Sequence, residues 1–329
     1  MQRAELESEV VERETLAGHV GKSGASLERW SLADGGSVVV KRLRPARDLL
    51  ARLTQDDSVR EYAVWAGGLL DRLPDGVEHA ILTGWREPDG ASLVMRDLGD
   101  AVLTWGDRLD PDQTEFVMRR LARTHDAFSH ARLTPWREVL TPLTTFYGLF
   151  APERMKRMLG SDSELPQLSI RGWEHFERLV PGDVAGPVLR LLHDPGPLAE
   201  ALLTCPCTLV HGDLATVNLA FDSDDLVLLD WGLPAMAPGA VDVARFIAGC
   251  ASVVDLSREA VLEEYAAAAG PAYDEKAMRL ALLAAFVWLG WNKALDAAEH
   301  PDPVIRERER ADLDWWVGQA RTTLRAGLL

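Results

Sequence analysis

Apolar positions fall in short alternating runs early in the chain and recur every three or four residues later. Leu27–Leu32 and Ser37–Leu43 flank the turn Ala33-Asp34-Gly35-Gly36, which predicts two antiparallel strands. Ile81–Trp85 predicts a further strand after the turn Leu73-Pro74-Asp75-Gly76. Ser92-Leu93-Val94-Met95-Arg96-Asp97-Leu98-Gly99 passes from apolar to polar and ends on glycine, the pattern of a strand leaving a sheet through a hinge near Asp100. Ser58–Leu70 sets Tyr62, Trp65, Ala66 and Leu69 at helical spacing. Residues 1–17 are charged and read as a frayed helix or a strand.

Beyond residue 100 the helical period dominates. Asp110-Pro111 is a helix start, with Asp as N-cap and Pro in the first turn. That helix is expected to reach His130, with Phe116, Leu121 and Phe128 inward. Further helices are expected around Arg171–Val180, then at Ser257–Ala269, Asp274–Glu299 and Pro303–Ala326. The pattern is that of an α+β chain: a small antiparallel β region with one long helix in residues 1–100, and a mainly helical region in 101–329. No internal repeat or low-complexity tail interrupts it.

One strand pair breaks into the helical half. In Leu209–Gly232, two apolar runs flank Asp222-Ser223-Asp224-Asp225, so Val217–Phe221 and Leu226–Asp230 read as a hairpin. With that loop, Phe221 faces Leu226 and Asn218 faces Leu229. Asn218 and Asp230 then stand one residue off register, within roughly 5–8 Å of each other. Asp213 precedes Asn218 by five residues, on a loop opened by His211-Gly212. Three oxygen-bearing side chains are thus expected at one mouth, and two of them suit a hard cation. Mg2+ takes one or two protein oxygens and completes its shell with water and phosphate. His211-x-Asp213-x-x-x-x-Asn218 has the spacing of a kinase catalytic loop, and Asp230-Trp231-Gly232 stands where kinases keep a metal-binding Asp. A surface hairpin with acidic turns is the plainer reading, and the coincidence of spacings weighs against it.

The early strands add phosphate chemistry. Gly21-Lys22-Ser23 mimics the end of a Walker A motif, but that motif needs glycine where Leu16 stands. The glycines of Gly18–Ser26 can instead bend a turn over phosphates, with backbone N–H groups toward oxygens. Lys41 closes Val38-Val39-Val40-Lys41, the pattern of the strand lysine that pairs with α- and β-phosphates. An edge lysine kept for solubility is the alternative, and Arg42 and Arg44 take its place in another register. Glu61 is the candidate partner that orients Lys41; it also fits a capping box with Ser58.

The spelling His211-Gly212-Asp213, with Asp230-Trp231 in place of Asp-Phe, resembles the aminoglycoside phosphotransferase-like family of small-molecule kinases. That family also holds choline, fructosamine and homoserine kinases. The resemblance implies a two-lobed protein-kinase-like fold, with a small nucleotide-binding lobe in 1–100 and a large helical lobe in 101–329. It implies ATP or GTP as donor, Mg2+ as cofactor, and a small-molecule hydroxyl as acceptor, such as an amino sugar, amino alcohol or aminoglycoside. Carried over, Asp213 is the catalytic base, Lys41 with Glu61 holds the phosphates, and Asn218 and Asp230 bind the metal. The Arg96 C=O and Leu98 N–H meet the adenine edge, and Met95 lines that pocket. Val241-Asp242-Val243-Ala244 resembles the family's Asp-Leu-Ala signature, where Asp242 braces the catalytic loop; a simple N-cap is the alternative. His211 reads as structural. Ala215 departs from the family, which often has His or Lys there, and puts a third basic contact near the γ-phosphate in doubt. His125 reads first as a core or surface histidine.

The acceptor is the open part. Trp288, Trp291, Trp315 and Trp316 lie on late helices, where the family builds its acceptor pocket; at helical spacing they equally read as core. Asp296, Glu299, Asp312 and Asp314 could take ammonium groups or form a solvated acidic face. A catalytically weak nucleotide-binding regulator of the same fold is the second reading. A protein kinase is disfavoured, because no Ala-Pro-Glu motif follows Asp230.

A net charge of −16 over 329 residues, with pI near 5.0, opposes nucleic acid and anionic membrane surfaces as partners. Cys205, Cys207 and Cys250 make no disulfide framework, and the first two with His211 lack a fourth zinc ligand. Leu280–Trp291, the longest apolar run, is too short to span a bilayer, and the first residues carry no apolar leader. The expected location is the cytoplasm.

Overall fold

The computed structural model describes residues 3–16, 25–128 and 130–329. The Gly18–Gly24 part of the glycine-rich turn lies outside the described residues. The chain forms two compact units, Met1–Asp107 with Thr216–Leu233, and Arg108–Ala215 with Pro234–Leu329.

The first unit begins with a helix, Arg3–Glu9, so the charged start is helix and then strand. Its early strands are β1 (Val10–Thr15), β2 (Ser26–Leu32), β3 (Ser37–Leu43), β4 (Val77–His79), β5 (Ile81–Glu87) and β6 (Gly90–Arg96). Five of them form an antiparallel sheet in the order β1-β2-β3-β6-β5. Alternation places Trp30, Val38, Val40 and Val94 on one face, where they bury Leu6 of the first helix.

The helix expected over Ser58–Leu70 is shorter, Arg60–Ala66, followed by a 3-10 turn at Leu70–Arg72. Val59 precedes it in the left-handed region, φ 53°, with no side-chain cap. The Ser58 hydroxyl bonds Asp56 at 2.8 Å, and the Asp56 carboxylate accepts the Arg60 N–H at 2.8 and 3.0 Å. The Ser58–Glu61 capping box therefore does not form, and Glu61 is left for other work. Gly67 ends the helix, so Val64, Leu69 and Leu70 are the buried apolar positions while Ala66 is exposed.

The hairpin pairs Leu219–Asp222 with Asp225–Leu228. Phe221 faces Leu226, and the Leu229 N–H donates to Asn218 O at 2.9 Å, the expected register. The turn is tighter than the expected four residues, because Asp222 and Asp225 already pair across it. β4, too short to show a period, joins the same strand in parallel, Val77 opposite Leu226. That pairing joins the hairpin to the early strands of the same unit, where Ala80, Ala220 and Val227 form a core flanked by Met95, Leu98 and Leu229.

The second unit is mainly helical. Its first long helix, Pro111–Ala127, starts with reciprocal Asp110–Gln113 capping and ends before His130. Ser257, Asp274 and Asp302 cap the helices Arg258–Ala269, Glu275–Glu299 and Pro303–Arg325. The 25-residue helix Glu275–Glu299 is long and apolar enough to cross a membrane by composition, but 83% of its most apolar window is buried inside the fold. Helix Leu165–Leu179 crosses it closely: a Cβ on Gly172 would meet Trp291 O at 2.3 Å. A two-stranded antiparallel pair, Thr208–Val210 with Ala235–Ala237, delivers the chain to His211. The fold class is α+β, with an antiparallel sheet early and a large helical part after it.

Candidate active site

In the first unit, Lys41 and Glu61 are both buried, and Lys41 Nζ lies 2.7 Å from Glu61 Oε2 and 2.8 Å from Asp230 Oδ1. β3 aims Lys41 away from the Val38–Val40 face; the short helix Arg60–Ala66 brings Glu61 to it. Burial opposes the lysine charge, but Asp230 and Glu61 outweigh it and raise its pKa above the ordinary value. Burial pushes the Glu61 carboxyl up to about 7; Lys41 pulls it back, and the Asp230 charge adds to the rise. The Trp231 N–H also donates to Glu61.

Asp230 itself sits at φ 59°, a conformation L side chains rarely adopt. Its neighbours hold it there: buried Trp231 donates its indole N–H to Leu228 O at 3.1 Å, and the Arg60 guanidinium donates to Gly232 O at 3.1 Å. Asn218 ends the 3-10 turn Thr216–Asn218 and is buried. Opposite Leu229, it stands one position off Asp230, as the hairpin register requires.

Met95 and Leu98 pack on the Ala80, Ala220 and Val227 cluster. The Arg96 N–H donates to Ala80 O at 2.8 Å, and its guanidinium pairs with Glu78 at 2.6 Å and Asp222 at 3.1 Å. Between them Asp97 accepts from Arg29 at 2.6 Å, Ser37 at 2.8 Å and the Gly99 N–H at 3.1 Å. Burial opposes its charge, yet these donors hold the Asp97 carboxyl below its usual range.

In the second unit, the loop after Val210 is fixed through its backbone. The His211 and Gly212 N–H groups donate to Asp242 Oδ2 and Oδ1, each at 2.8 Å. Gly212 turns at φ 85°, which favours glycine, and the Asp213 N–H reaches His211 Nδ1 at 3.3 Å. Asp242 is the third residue of helix Ala240–Cys250, so it is not the N-cap, which is Gly239. His125 is a core histidine, with Nε2 3.3 Å from Asp242 Oδ2 and Nδ1 2.9 Å from the Tyr265 hydroxyl. Burial, with Asp242 nearby, raises the Tyr265 pKa, so its hydroxyl stays protonated beside His125. A Cβ on Gly239 would meet His125 Nδ1 at 2.4 Å, so that glycine admits the ring.

Asp213 meets a residue that the motif spacing did not single out. Arg245 donates from Nε at 2.9 Å and approaches with Nη2 at 2.6 Å, both toward Asp213 Oδ1. Its one trace in the sequence is its place three residues after Asp242, one turn along the same helix face.

Of the late tryptophans, Trp288, Trp291 and Trp316 are buried core, packed on Phe146, Phe150 and Phe286. Trp315 is half-buried and bonds Glu259. Glu299 pairs with Arg171 at 3.0 Å and with His175; Asp312 is buried with Lys293 at 2.7 Å and Arg258. Asp296 accepts from Asn292 at 3.1 Å, and Asp314 is exposed. Ala215 is buried. Burial raises the Cys207 thiol to about 11.

Among the described residues no three His, Cys, Asp or Glu side chains form a metal cluster. Asn218 and Asp230 offer one amide and one carboxylate oxygen. That set suits a hard cation whose remaining ligands are phosphate and water, and does not suit zinc.

Residues 20–280 match the family model described as the phosphotransferase enzyme family. Sequence comparison with curated proteins finds no match. Among solved structures, a spectinomycin phosphotransferase in complex with ADP and spectinomycin superposes with a TM-score of 0.56 at 12% identity, over 97% of this chain and 94% of that one. A Plasmodium vivax ethanolamine kinase gives 0.55 at 12% identity, over 100% and 84%. A GDP and kanamycin complex of an aminoglycoside phosphotransferase gives 0.51 at 12% identity, over 96% and 93%. These likenesses identify the fold as the two-lobed, protein-kinase-like one, with a small antiparallel β lobe and a large helical lobe.

Proposed function

The chain belongs to the phosphotransferase enzyme family, and on that premise we propose that it moves the γ-phosphoryl group of ATP or GTP to a hydroxyl of a small molecule. The observation that carries the reading is the buried Lys41 held by Glu61 and Asp230. Structural neighbours described with ADP, GDP, spectinomycin and kanamycin support nucleotide use and a small-molecule acceptor. Amino sugars, amino alcohols and aminoglycosides are the acceptors to test first, and the cytoplasm, where nucleotide is available, is the compartment.

The acceptor oxygen forms a bond to the γ-phosphorus, the bond to the β-phosphate oxygen breaks, and the nucleoside diphosphate leaves. Little covalent help is needed; positioning and charge neutralisation do most of the work. Lys41, oriented by Glu61, would hold the α- and β-phosphates. Met95, with the Arg96 C=O and the Leu98 N–H, would meet the base. Asn218 and Asp230 would hold Mg2+, which neutralises phosphate charge when bound. Asp213 would orient the acceptor hydroxyl and take its proton. The hydroxyl acidifies as the new bond forms, so its proton can pass to a carboxylate.

A catalytically weak nucleotide-binding protein of the same fold is the second reading. Ala215, where the family often has a basic residue, favours it. The test is a screen of pooled hydroxyl metabolites and aminoglycosides, with ATP and GTP in parallel, read by nucleoside diphosphate release. Acceptor-dependent release that Asp213→Ala abolishes is the expected result. Nucleotide binding without transfer to any acceptor would leave the second reading.

A further inference from the structure

Asp213 is fixed twice, through Asp242, which holds the backbone of the two residues before it, and through Arg245, which holds its side chain. The Arg245 contacts converge on one oxygen, Oδ1, at 2.9 and 2.6 Å. The arginine is itself gripped. It is buried, and its guanidinium lies 5.3 Å from the centre of the Trp288 ring, a cation–π distance. Trp288 cannot swing away, since Phe146 at 4.4 Å and Phe150 at 6.3 Å pack against it. On the remaining side, Gly249 leaves a notch in the same helix: a Cβ there would meet Arg245 Nη1 at 2.2 Å. A guanidinium never gives up its proton in a protein, so Arg245 cannot take a proton from a hydroxyl. Whatever it does for the reaction passes through the carboxylate it holds.

We propose that Arg245 is the positioning residue for Asp213, and that Trp288 and the Gly249 notch set the position of Arg245 in turn. The inference rests on the reading of Asp213 as the group that takes the acceptor proton. The Arg245–Asp213 pair pins the Oδ1 oxygen of the carboxylate, so that its approach to the hydroxyl depends less on rotamer sampling during turnover. A displacement of about 1 Å at such a group costs on the order of a hundredfold in rate. The role is separable from nucleotide binding, because Lys41, Glu61, Asn218 and Asp230 belong to the other unit.

The experiment compares Arg245→Ala, Arg245→Lys, Gly249→Ala and the Arg245→Ala/Gly249→Ala double variant in the full chain. It reads kcat for phosphoryl transfer and KM for nucleotide. We expect Arg245→Ala to lower kcat by about 10–100-fold with nucleotide KM within about twofold of wild type, and methylguanidinium to restore part of the loss. Arg245→Lys should recover a fraction, since an ammonium pairs but lacks the planar fork. Gly249→Ala should lower kcat although alanine favours the helix, and should have no further effect where Arg245 is already absent. If Arg245→Ala does not fold, Arg245→Lys and Gly249→Ala carry the test. An Arg245→Ala enzyme with kcat within about twofold of wild type, or a Gly249→Ala effect undiminished in the double variant, overturns the proposal alone. A wild type that transfers to no acceptor, or an Asp213→Asn variant as active as wild type, removes the reading beneath it as well.

Discussion

Lys41 Nζ stands 2.8 Å from Asp230 Oδ1 while it holds Glu61 Oε2 at 2.7 Å. One ammonium therefore serves two carboxylates, and any phosphate that binds Lys41 competes with Asp230 for it. Asp230 has a second proposed task, as a metal ligand. The two roles predict opposite responses to Asp230→Ala. Without Mg2+, nucleotide should bind the variant as well as wild type or more tightly, because a competitor for Lys41 is gone. With Mg2+, the variant should bind about tenfold or more weakly, the size of one lost charge-assisted contact. Calorimetric titration with chelator and then with Mg2+ checks both signs; equal weakening in both conditions would contradict the metal role.

Asp213 makes the complementary case. Asp213→Ala should abolish transfer and leave nucleotide affinity within about twofold, because the group meets the acceptor and not the phosphates. Loss of nucleotide binding in this variant, measured by the same titration, would count against the assignment.

Glu61 gives the site a pH signature. Its carboxyl rises from an ordinary 4.5 to about 7, through burial first, with Lys41 opposing and Asp230 adding. An acid raised in the folded state favours folding when protonated. Its contribution is therefore full below pH 4.5 and is lost as pH climbs through about 7. Lys41 is also raised, so its contribution persists to higher pH and is lost only above the ordinary lysine range. Glu61→Gln should remove the loss between those two acid values, a difference on the order of 3 kcal/mol at most. Urea melts of wild type and Glu61→Gln at pH 5, 6, 7 and 8 test this; parallel curves would contradict it.

What the sequence made legible follows from range. The hairpin register was readable because a period of two leaves one alignment for Phe221 and Leu226, and that alignment carries Asn218 toward Asp230. The starts at Asp110, Ser257 and Asp274 were readable because capping is local. The Ser58–Glu61 box matched the local rule but lost to tertiary demand: Val59 turns left-handed, Asp56 supplies the acceptor, and Glu61 goes to Lys41. Arg245 was not readable, because its partner lies thirty-two residues upstream and its place depends on Trp288 and Gly249 together. The late tryptophans gave an ambiguous signal. Helical spacing marks a buried face without saying whether it covers a ligand or another helix.

Asp242 is predicted to matter for stability more than for binding. Its carboxylate accepts from two buried backbone N–H groups and faces His125. Asp242→Asn must turn an amide NH2 toward at least one of those donors, which leaves it unsatisfied at a cost of about 1–3 kcal/mol. In a domain of roughly 150–250 residues, each kcal/mol moves Tm by about 2–4 °C. A fall of several degrees is expected by scanning calorimetry, with nucleotide affinity unchanged. An unshifted Tm would mean that the loop does not depend on this brace.

The acceptor's charge can be tested by magnitude. A net charge of −16 invites a cationic acceptor, but two of the four late carboxylates, Glu299 and Asp312, are already engaged in ion pairs. Glu299 pairs with Arg171 and His175, Asp312 with Lys293 and Arg258, and Asp213 with Arg245. An ammonium meeting neutralised carboxylates gains only what exposed pairs give, roughly 0–1 kcal/mol. A dedicated carboxylate in a closed site would give about 1.5–3 kcal/mol, more than tenfold in kcat/KM. The diffuse field of the acidic chain is screened beyond about 10 Å at 0.1 M salt. The expected preference for an amino sugar over the analogue with hydroxyl in place of the amine is therefore below about fivefold at low salt, vanishing as salt rises. Measuring kcat/KM for the pair across a salt series decides it. A tenfold preference that survives high salt would mean that a carboxylate gives up its present partner to hold the ammonium, and Glu299→Gln and Asp312→Asn would then identify which.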